Sequence, residues 1–432
     1  MLPLARYGMA LLAVLLLPMP ALAEDSLNSG DTAWIIVATA LVLFMTLPGL
    51  ALFYAGLVRS QAVLSVVMHC VGIACLMTIL WLVVGYSLAF GDSAGGWIGN
   101  LGKAFFSGVG KDAMRGSIPE IVFAVFQMTF AIITPALIVG AYVERIKFSS
   151  VLIFSGAWLL LVYAPVCHWV WGGGWMAGLG VMDFAGGIVV HATAGISALV
   201  IAMMLGARRG YPEQVRPPHN PGMTATGAAM LWVGWYGFNG GSQLAADGGA
   251  GMAIAATHIA AATAGMVWMI IEWTKFGKPS LVGAVTGVIA GLATVTPASG
   301  FVGPLGGLIL GAAAAIVCFY AVQIVKHSLK IDDSLDVFAV HGVGGILGSL
   351  LVSFLALAMF GGNGLAEGQT AVGQLGVQAI GVGVTLVWSA VLTVVIVKVT
   401  GALTGGLRVS EDQEIEGLDL ASHGERGYDI GR

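Results

Sequence analysis

Residues 183–195 read Asp-Phe-Ala-Gly-Gly-Ile-Val-Val-His-Ala-Thr-Ala-Gly, with nothing ionisable between Asp183 and His191 and only small or apolar side chains around them. The apolar run continues to about residue 206, long enough to cross a hydrocarbon core of about 30 Å. At a rise of about 1.5 Å per residue His191 then lies about 12 Å inside the helix. Ionisable groups at that depth usually face a cavity or a pathway. Elsewhere the chain repeats the order, Asp336-Val-Phe-Ala-Val-His341, which puts a second histidine about 7.5 Å into another apolar run.

Composition carries the membrane reading from these segments to the whole chain. Of 432 residues 58% are hydrophobic and 9% charged, against about 25% charged in soluble domains, so a water-soluble globule is excluded. The 64 glycines have no three-residue period and lie within apolar runs, where they permit close helix approach in lipid. A net charge of −4 offers no basic surface for nucleic acid. Cys70, Cys75, Cys167 and Cys318 show no metal spacing, and neither a metal nor a cofactor is expected.

Residues 1–23 have the form of a secretory signal, with Arg6, an apolar core and Ala21-Leu22-Ala23 before Glu24. Spanning helices are predicted near 32–57, 63–90, 118–142, 149–166, 184–206, 223–239, 250–271, 280–296, 304–325, 336–360 and 375–403. With the N-terminus outside, eleven spans put the C-terminus inside. Of 18 Lys and Arg, Arg6 lies in the signal and Lys103, Lys111 and Arg115 fall outside, so the other fourteen fall inside; this matches the positive-inside rule. The predicted fold is an all-α integral membrane protein with a membrane domain over 24–404 and a cytoplasmic tail over 405–432. Eleven is also two inverted five-helix units plus one helix, an arrangement that places a site near the bilayer midplane. The Asp-to-His segments open the fifth and tenth helices, the corresponding members of the two units.

Glycines and alanines beside both histidines (Gly186, Gly187, Ala192 and Gly195; Gly342, Gly344, Gly345 and Gly348) allow the two imidazoles to meet. Away from water the neutral ring is the cheaper form, with one donor and one acceptor nitrogen, so rings in contact can share a proton. Towards the outer face lie His168-Trp169-Val-Trp171-Gly-Gly-Gly-Trp175 and Trp235-Tyr236-Gly-Phe238-Asn239-Gly-Gly-Ser242. Trp169, Trp175 and Tyr236 read as an interfacial belt. Trp171, Phe238 and Ser242 suit a cation with N–H donors, through aromatic faces and a hydroxyl acceptor. Phe126 and Phe130, four residues apart beside Gln127, read by spacing as ordinary packing. His69 and His258 read as packing residues too.

Taken in order, WGGGW, DFAGGIVVHATAG, GWYGFNGGS, GKPSLVGAVTGVIAGLATVTPASGF, DDSLDVFAVHGVGGILG and EGLDLASHGERGY resemble the ammonium transporter family (Amt/MEP/Rh), in its bacterial Amt type, over nearly the full length. The resemblance implies an eleven-helix, five-plus-five fold, a homotrimer with one pore per subunit, and residence in the bacterial inner membrane. It implies an outer recruitment site of Phe130, Trp171 and Ser242 lined by Trp235, a gate of Phe130 and Phe238, and a pore with His191 and His341. Asp183 is implied to support the outer site from a helix start, with Gln127 and Thr296 as further pathway or supporting positions. It also implies a PII-type signalling protein that docks on the cytoplasmic face. Relatives often carry Lys-Asn where this chain has Gln61-Ala62, a departure that touches the cytoplasmic turn rather than the pore.

The resulting expectation is a transporter or channel, not an enzyme. Ammonium is bound outside, loses its proton near the gate, crosses as ammonia past the histidines and is protonated again inside, with the proton crossing separately. A dry crossing of the ion itself costs several kcal/mol, more than a cage worth about 0.5–2 kcal/mol per ring offsets. An electroneutral ammonia channel and an ammonium-sensing receptor with little transport are the alternatives. A bis-histidine haem protein is the rival from another class.

Overall fold

A computed structural model describes residues 26–214 and 217–429, so the expected signal over 1–23 lies outside the described residues. Helices occupy all eleven predicted stretches: α1 Ser29–Leu57, α2 Val63–Phe90, α3 Glu120–Ala141, α4 over 148–171, α5 Gly187–Leu205, α6 over 221–240, α7 Gly248–Phe276, α8 Leu281–Val295, α9 Pro304–Ser328, α10 Phe338–Leu355 and α11 Ala371–Leu403. Among the described residues nine of the helices are long and apolar enough to cross a membrane. Helices α6 and α8 fall short by that measure; α8 has 15 residues.

Polar residues start these helices where orphan backbone N–H groups need acceptors. Asn28 accepts from Gly30 and Asp31, Asn220 from Met223, Asp247 from Ala250, Ser280 from Gly283 and Thr370 from Gly373. Helices α3 and α5 are the most enclosed, 78% of each apolar window being buried against 39% for α7, α9 and α11. The first pair therefore forms the centre and the other three the wall. Exposed apolar residues on the wall, such as Ile270, Ile316 and Val387, suit contact with lipid.

Between α2 and α3 the chain makes two short hairpins, Ser93–Ala94 with Ile98–Gly99 and Met114–Arg115 with Ile118–Pro119. They cover the face on which Trp171 lies. On the opposite face, the tail folds into α12 Glu411–Glu416 and α13 Leu418–His423. Arg408 and Glu414 pair at 2.6 Å there, while Arg208 binds Asp332 at 3.0 Å and Glu144 at 3.3 Å.

Candidate functional site: an aromatic vestibule and a histidine pair

Seven π turns interrupt the described helices, and three of them carry site side chains. Gly187–Ala192 holds His191, Tyr236–Gly240 holds Phe238 and Phe338–Gly342 holds His341. A π turn inserts a residue into the helical ladder and re-aims its neighbours, which is why such turns gather at functional positions.

The turn under His191 is anchored by Asp183. Its two carboxylate oxygens accept the N–H groups of Gly186, Gly187, Ile188 and Val189 at 2.6–3.0 Å, four charge-assisted bonds at a helix start. The equivalent anchor under His341 is Asp333, not Asp336, the residue picked out by sequence. Asp333 Oδ2 accepts the Phe338 N–H at 2.7 Å. Spacing explains the correction: Asp183 and Asp333 each stand eight residues before their histidine. Three residues after each aspartate the backbone takes a positive φ, +119° at Gly186 and +62° at Asp336. Asp336 fills that turn, and its side chain pairs with Lys326 at 2.8 Å.

The expected recruitment residues come together. Phe130 stands edge-on to Trp171 with ring centroids 5.9 Å apart, and 4.4 Å from Phe238 on its other side. Phe126 is part of the same stack, edge-on to Phe130 at 5.1 Å, although its spacing read as packing alone. Trp171 Nε1 donates to the Asp183 carbonyl at 2.8 Å, so Asp183 also fixes the indole. Ser242 Oγ donates to the Phe238 carbonyl at 2.8 Å. That bond uses the hydroxyl hydrogen and leaves the oxygen lone pairs to accept. Trp171, Ser242, Gln127 and Phe184 line an open cavity of about 320 Å³.

Behind the two phenyl rings the path narrows. Trp235 Nε1 donates to Thr296 Oγ1 at 2.9 Å, and Thr296 Oγ1 donates to the Leu292 carbonyl at 2.8 Å; Thr296 thus holds the indole that stacks on His191 at 5.6 Å. Phe238 lies nearly parallel to His191 at 6.1 Å. The imidazoles of His191 and His341 stack at 5.2 Å with Nδ1 to Nδ1 3.3 Å. One Nδ1 donates and the other accepts, so of two neutral rings one presents Nε2 as an acceptor and the other Nε2–H as a donor. Both rings line a lumen of about 10 Å³ with Phe238, Trp235, Phe53 and Leu137, room for about one water-sized molecule. His341 also lines the next cavity, about 170 Å³, which contains Lys326 and Asp336. The lumen of about 10 Å³ beside the rings has no room for a porphyrin, so the residues present do not fit the haem reading.

Of the three residues read as a belt, Trp169 is buried, while Trp175 and Tyr236 are partly exposed. Trp169 donates to the Trp97 carbonyl at 2.7 Å, and Tyr236 Oη hydrogen-bonds His258 Nδ1 at 2.7 Å. His69 is buried and stacks on Phe148 at 5.9 Å. Gln61-Ala62 lies under the tail: the Gln61 carbonyl accepts the Asp419 N–H at 3.1 Å, and the Asp419 carboxylate accepts the Ser65 N–H at 2.7 Å.

The family model for the Ammonium Transporter Family matches residues 33–428. The chain belongs to the ammonium transporter family. It is 45% identical to an ammonium transporter of Aquifex aeolicus over 94% of this chain and 95% of that one. Against an ammonium transporter of Bacillus subtilis it is 43% identical, over 93% and 99%. Among solved structures in the family, Candida albicans Mep2 superposes with a TM-score of 0.84 at 36% identity, covering 94% of this chain and 91% of that chain. A protein described as a Sensor Amt Protein gives 0.85 at 30% identity, covering 91% and 98%.

Proposed function

We propose that this member of the family carries ammonium inward by separating its proton from ammonia. The observation that carries the reading is the sequence of spaces: an aromatic cavity with Ser242, a pair of phenyl rings 4.4 Å apart, a one-molecule lumen at the histidines, and a second cavity that shares His341. In this reading eleven helices span the membrane, the N-terminus and the Trp171 face are outside, and the tail is inside.

Ammonium rests against Trp171 and Phe130 and donates a hydrogen bond to Ser242 Oγ, whose own hydrogen is committed to Phe238. Asp183 acts from behind, by holding Trp171 and the π turn rather than by touching the ion. Gln127 lines the same cavity and offers its carbonyl oxygen as a further acceptor. The phenyl pair then blocks a hydrated ion. Ammonia passes and meets one donor and one acceptor Nε2 at the histidine pair, while the shared Nδ1 proton can change sides and so link a proton path across the pair. Potassium has no proton to leave behind and stays outside. Ammonium-evoked current in proteoliposomes on a solid-supported membrane tests this. Current is expected; intact ammonia flux with no current would favour the electroneutral channel.

The likeness to the Sensor Amt Protein gives the receptor reading its one support. A turnover too low to supply a cell with nitrogen, measured in the same proteoliposomes, would favour it. The trimer and the PII-type partner remain part of the proposal. The tail and the loop with Arg208 and Arg209 form a charged cytoplasmic face on which such a partner would dock, and capture by the full chain but not by a chain ending at residue 407 is expected.

A further inference from the structure

We propose that Arg115 sets the affinity of the outer vestibule by holding a permanent positive charge in the cavity where ammonium is recruited. The inference rests on recruitment of ammonium at Trp171 and Ser242.

Arg115 ends the first strand of the hairpin before α3 and pairs in register with Ile118, with Gly116 in the turn at φ +59°. This short turn aims its side chain back over the mouth of the site. The guanidinium carbon lies 4.1 Å from the ring centroid of Phe123 and 5.1 Å from that of Phe90. Both distances are within cation–π range. Phe123 stands one helical turn before Gln127 on α3, and Arg115, Phe123, Gln127, Trp171 and Ser242 line one cavity.

Two aromatic faces at this entrance are thus already occupied by a cation that belongs to the protein. Nearby charges do not pair with it directly. Glu120 is taken by Lys103 and by the Tyr86 hydroxyl, the latter at 2.6 Å. Asp31 accepts from Ser117 Oγ and from the Ala246 N–H. Among the described residues no carboxylate forms an ion pair with Arg115. Its stacked guanidinium is held in place by the rings, and Glu120, the carboxylate that feels its charge through space, is already paired with Lys103.

A fixed charge in the same cavity repels an arriving cation. Over separations of about 10 Å at a half-exposed site, the Coulomb energy corresponds to a change of about two- to tenfold in affinity at low salt. The effect shrinks as the Debye length falls below that separation. Arg115 therefore makes the vestibule a weaker trap than its aromatic residues alone would build, which suits release of the substrate onward into the pore.

The test is the concentration dependence of ammonium current in proteoliposomes. Arg115→Gln is expected to lower the half-saturating concentration by about two- to tenfold at low ionic strength, with the gap to the parent closing as sodium chloride is raised. Arg115→Lys should keep the parent value. An unchanged or raised half-saturation in Arg115→Gln, a gap indifferent to salt, or a lysine variant that behaves like the glutamine one would each overturn the proposal. Parent protein supplies a check independent of any variant: its half-saturation should fall with added salt, and a constant or rising value counts against a repulsive charge. Trp171→Leu separates the two levels of the argument. If it raises half-saturation while Arg115→Gln does nothing, only Arg115 loses its role; if Trp171→Leu itself has no effect, the recruitment reading fails.

Discussion

At the scale of single residues, the orientation of one hydroxyl decides the polarity of the recruitment site. Ser242 gives its hydrogen to the Phe238 carbonyl and can only accept from a ligand. Ser242→Ala should therefore raise the half-saturating ammonium concentration by about tenfold, the effect of one hydrogen bond to a charged partner, measured as current against concentration. Asp183→Ala should remove transport by a different route, since four N–H groups of the π turn lose their carboxylate anchor while the main-chain bond to the Trp171 indole stays. A surviving signal from Asp183→Asn, which retains one acceptor oxygen, would distinguish anchoring from direct charge. His191, His341, Trp171, Phe238 and Ser242 were legible because each is a polar or aromatic exception in an apolar or glycine-rich context. Asp333 was hidden by Asp336, which is closer to His341 in sequence but occupies a positive-φ turn that no composition rule marks on a non-glycine residue.

At the scale of elements, two helices meet where their side chains vanish. A Cβ on Gly195 would collide with the backbone of Gly342, and one on Gly345 would stand 2.6 Å from His191 Cβ and 2.7 Å from the Gly187 carbonyl oxygen. Gly345→Ala is expected to push the rings apart and abolish ammonium current in protein that still purifies as a folded, monodisperse species. Unaltered current would mean that the ring contact is not needed. Helix positions followed from apolar length alone, and all eleven stretches are helical. The π turns did not follow, because they depend on how neighbouring helices pack and leave no periodic trace. The hairpins at 93–119 were unreadable for another reason: each strand has two residues, too short for an alternating pattern.

At the scale of the whole molecule, the charges that are scarce in the chain gather on one face and tie the tail to the bundle. Asp332 is fully buried between Arg208 and Arg145, and the two guanidinium groups hold its carboxyl below the usual carboxylate range against the opposing effect of burial. Asp332→Ala leaves both cations without it and should destabilise the protein by about 3–5 kcal/mol, seen as a lowered Tm in detergent. The tail adds a pH response. Burial lowers the pKa of the His423 imidazole, against the pull of Asp419 and Glu425, while the undocked ring titrates near 6.5. The undocked tail then binds more protons, so docking is intact above that value and weakens as pH falls through it. Amide protection in α13, taken relative to the intrinsic exchange rate, should fall as the pH drops through about 6.5, and His423→Gln should remove the change. The tail's seat on Gln61 was anticipated only as a cytoplasmic loop that departs from relatives, since contact between residues this far apart leaves no local signal.

The central claim is that the phenyl gate and the histidine pair together pass ammonia and exclude an ion. Recordings from parent and His191→Ala proteoliposomes, each challenged with ammonium and then with potassium, test it most directly. The account predicts a saturable ammonium current and no potassium current in the parent, with His191→Ala either silent or newly permeable to potassium. A potassium current in the parent, or a variant that keeps both the ammonium current and the exclusion of potassium, would contradict it.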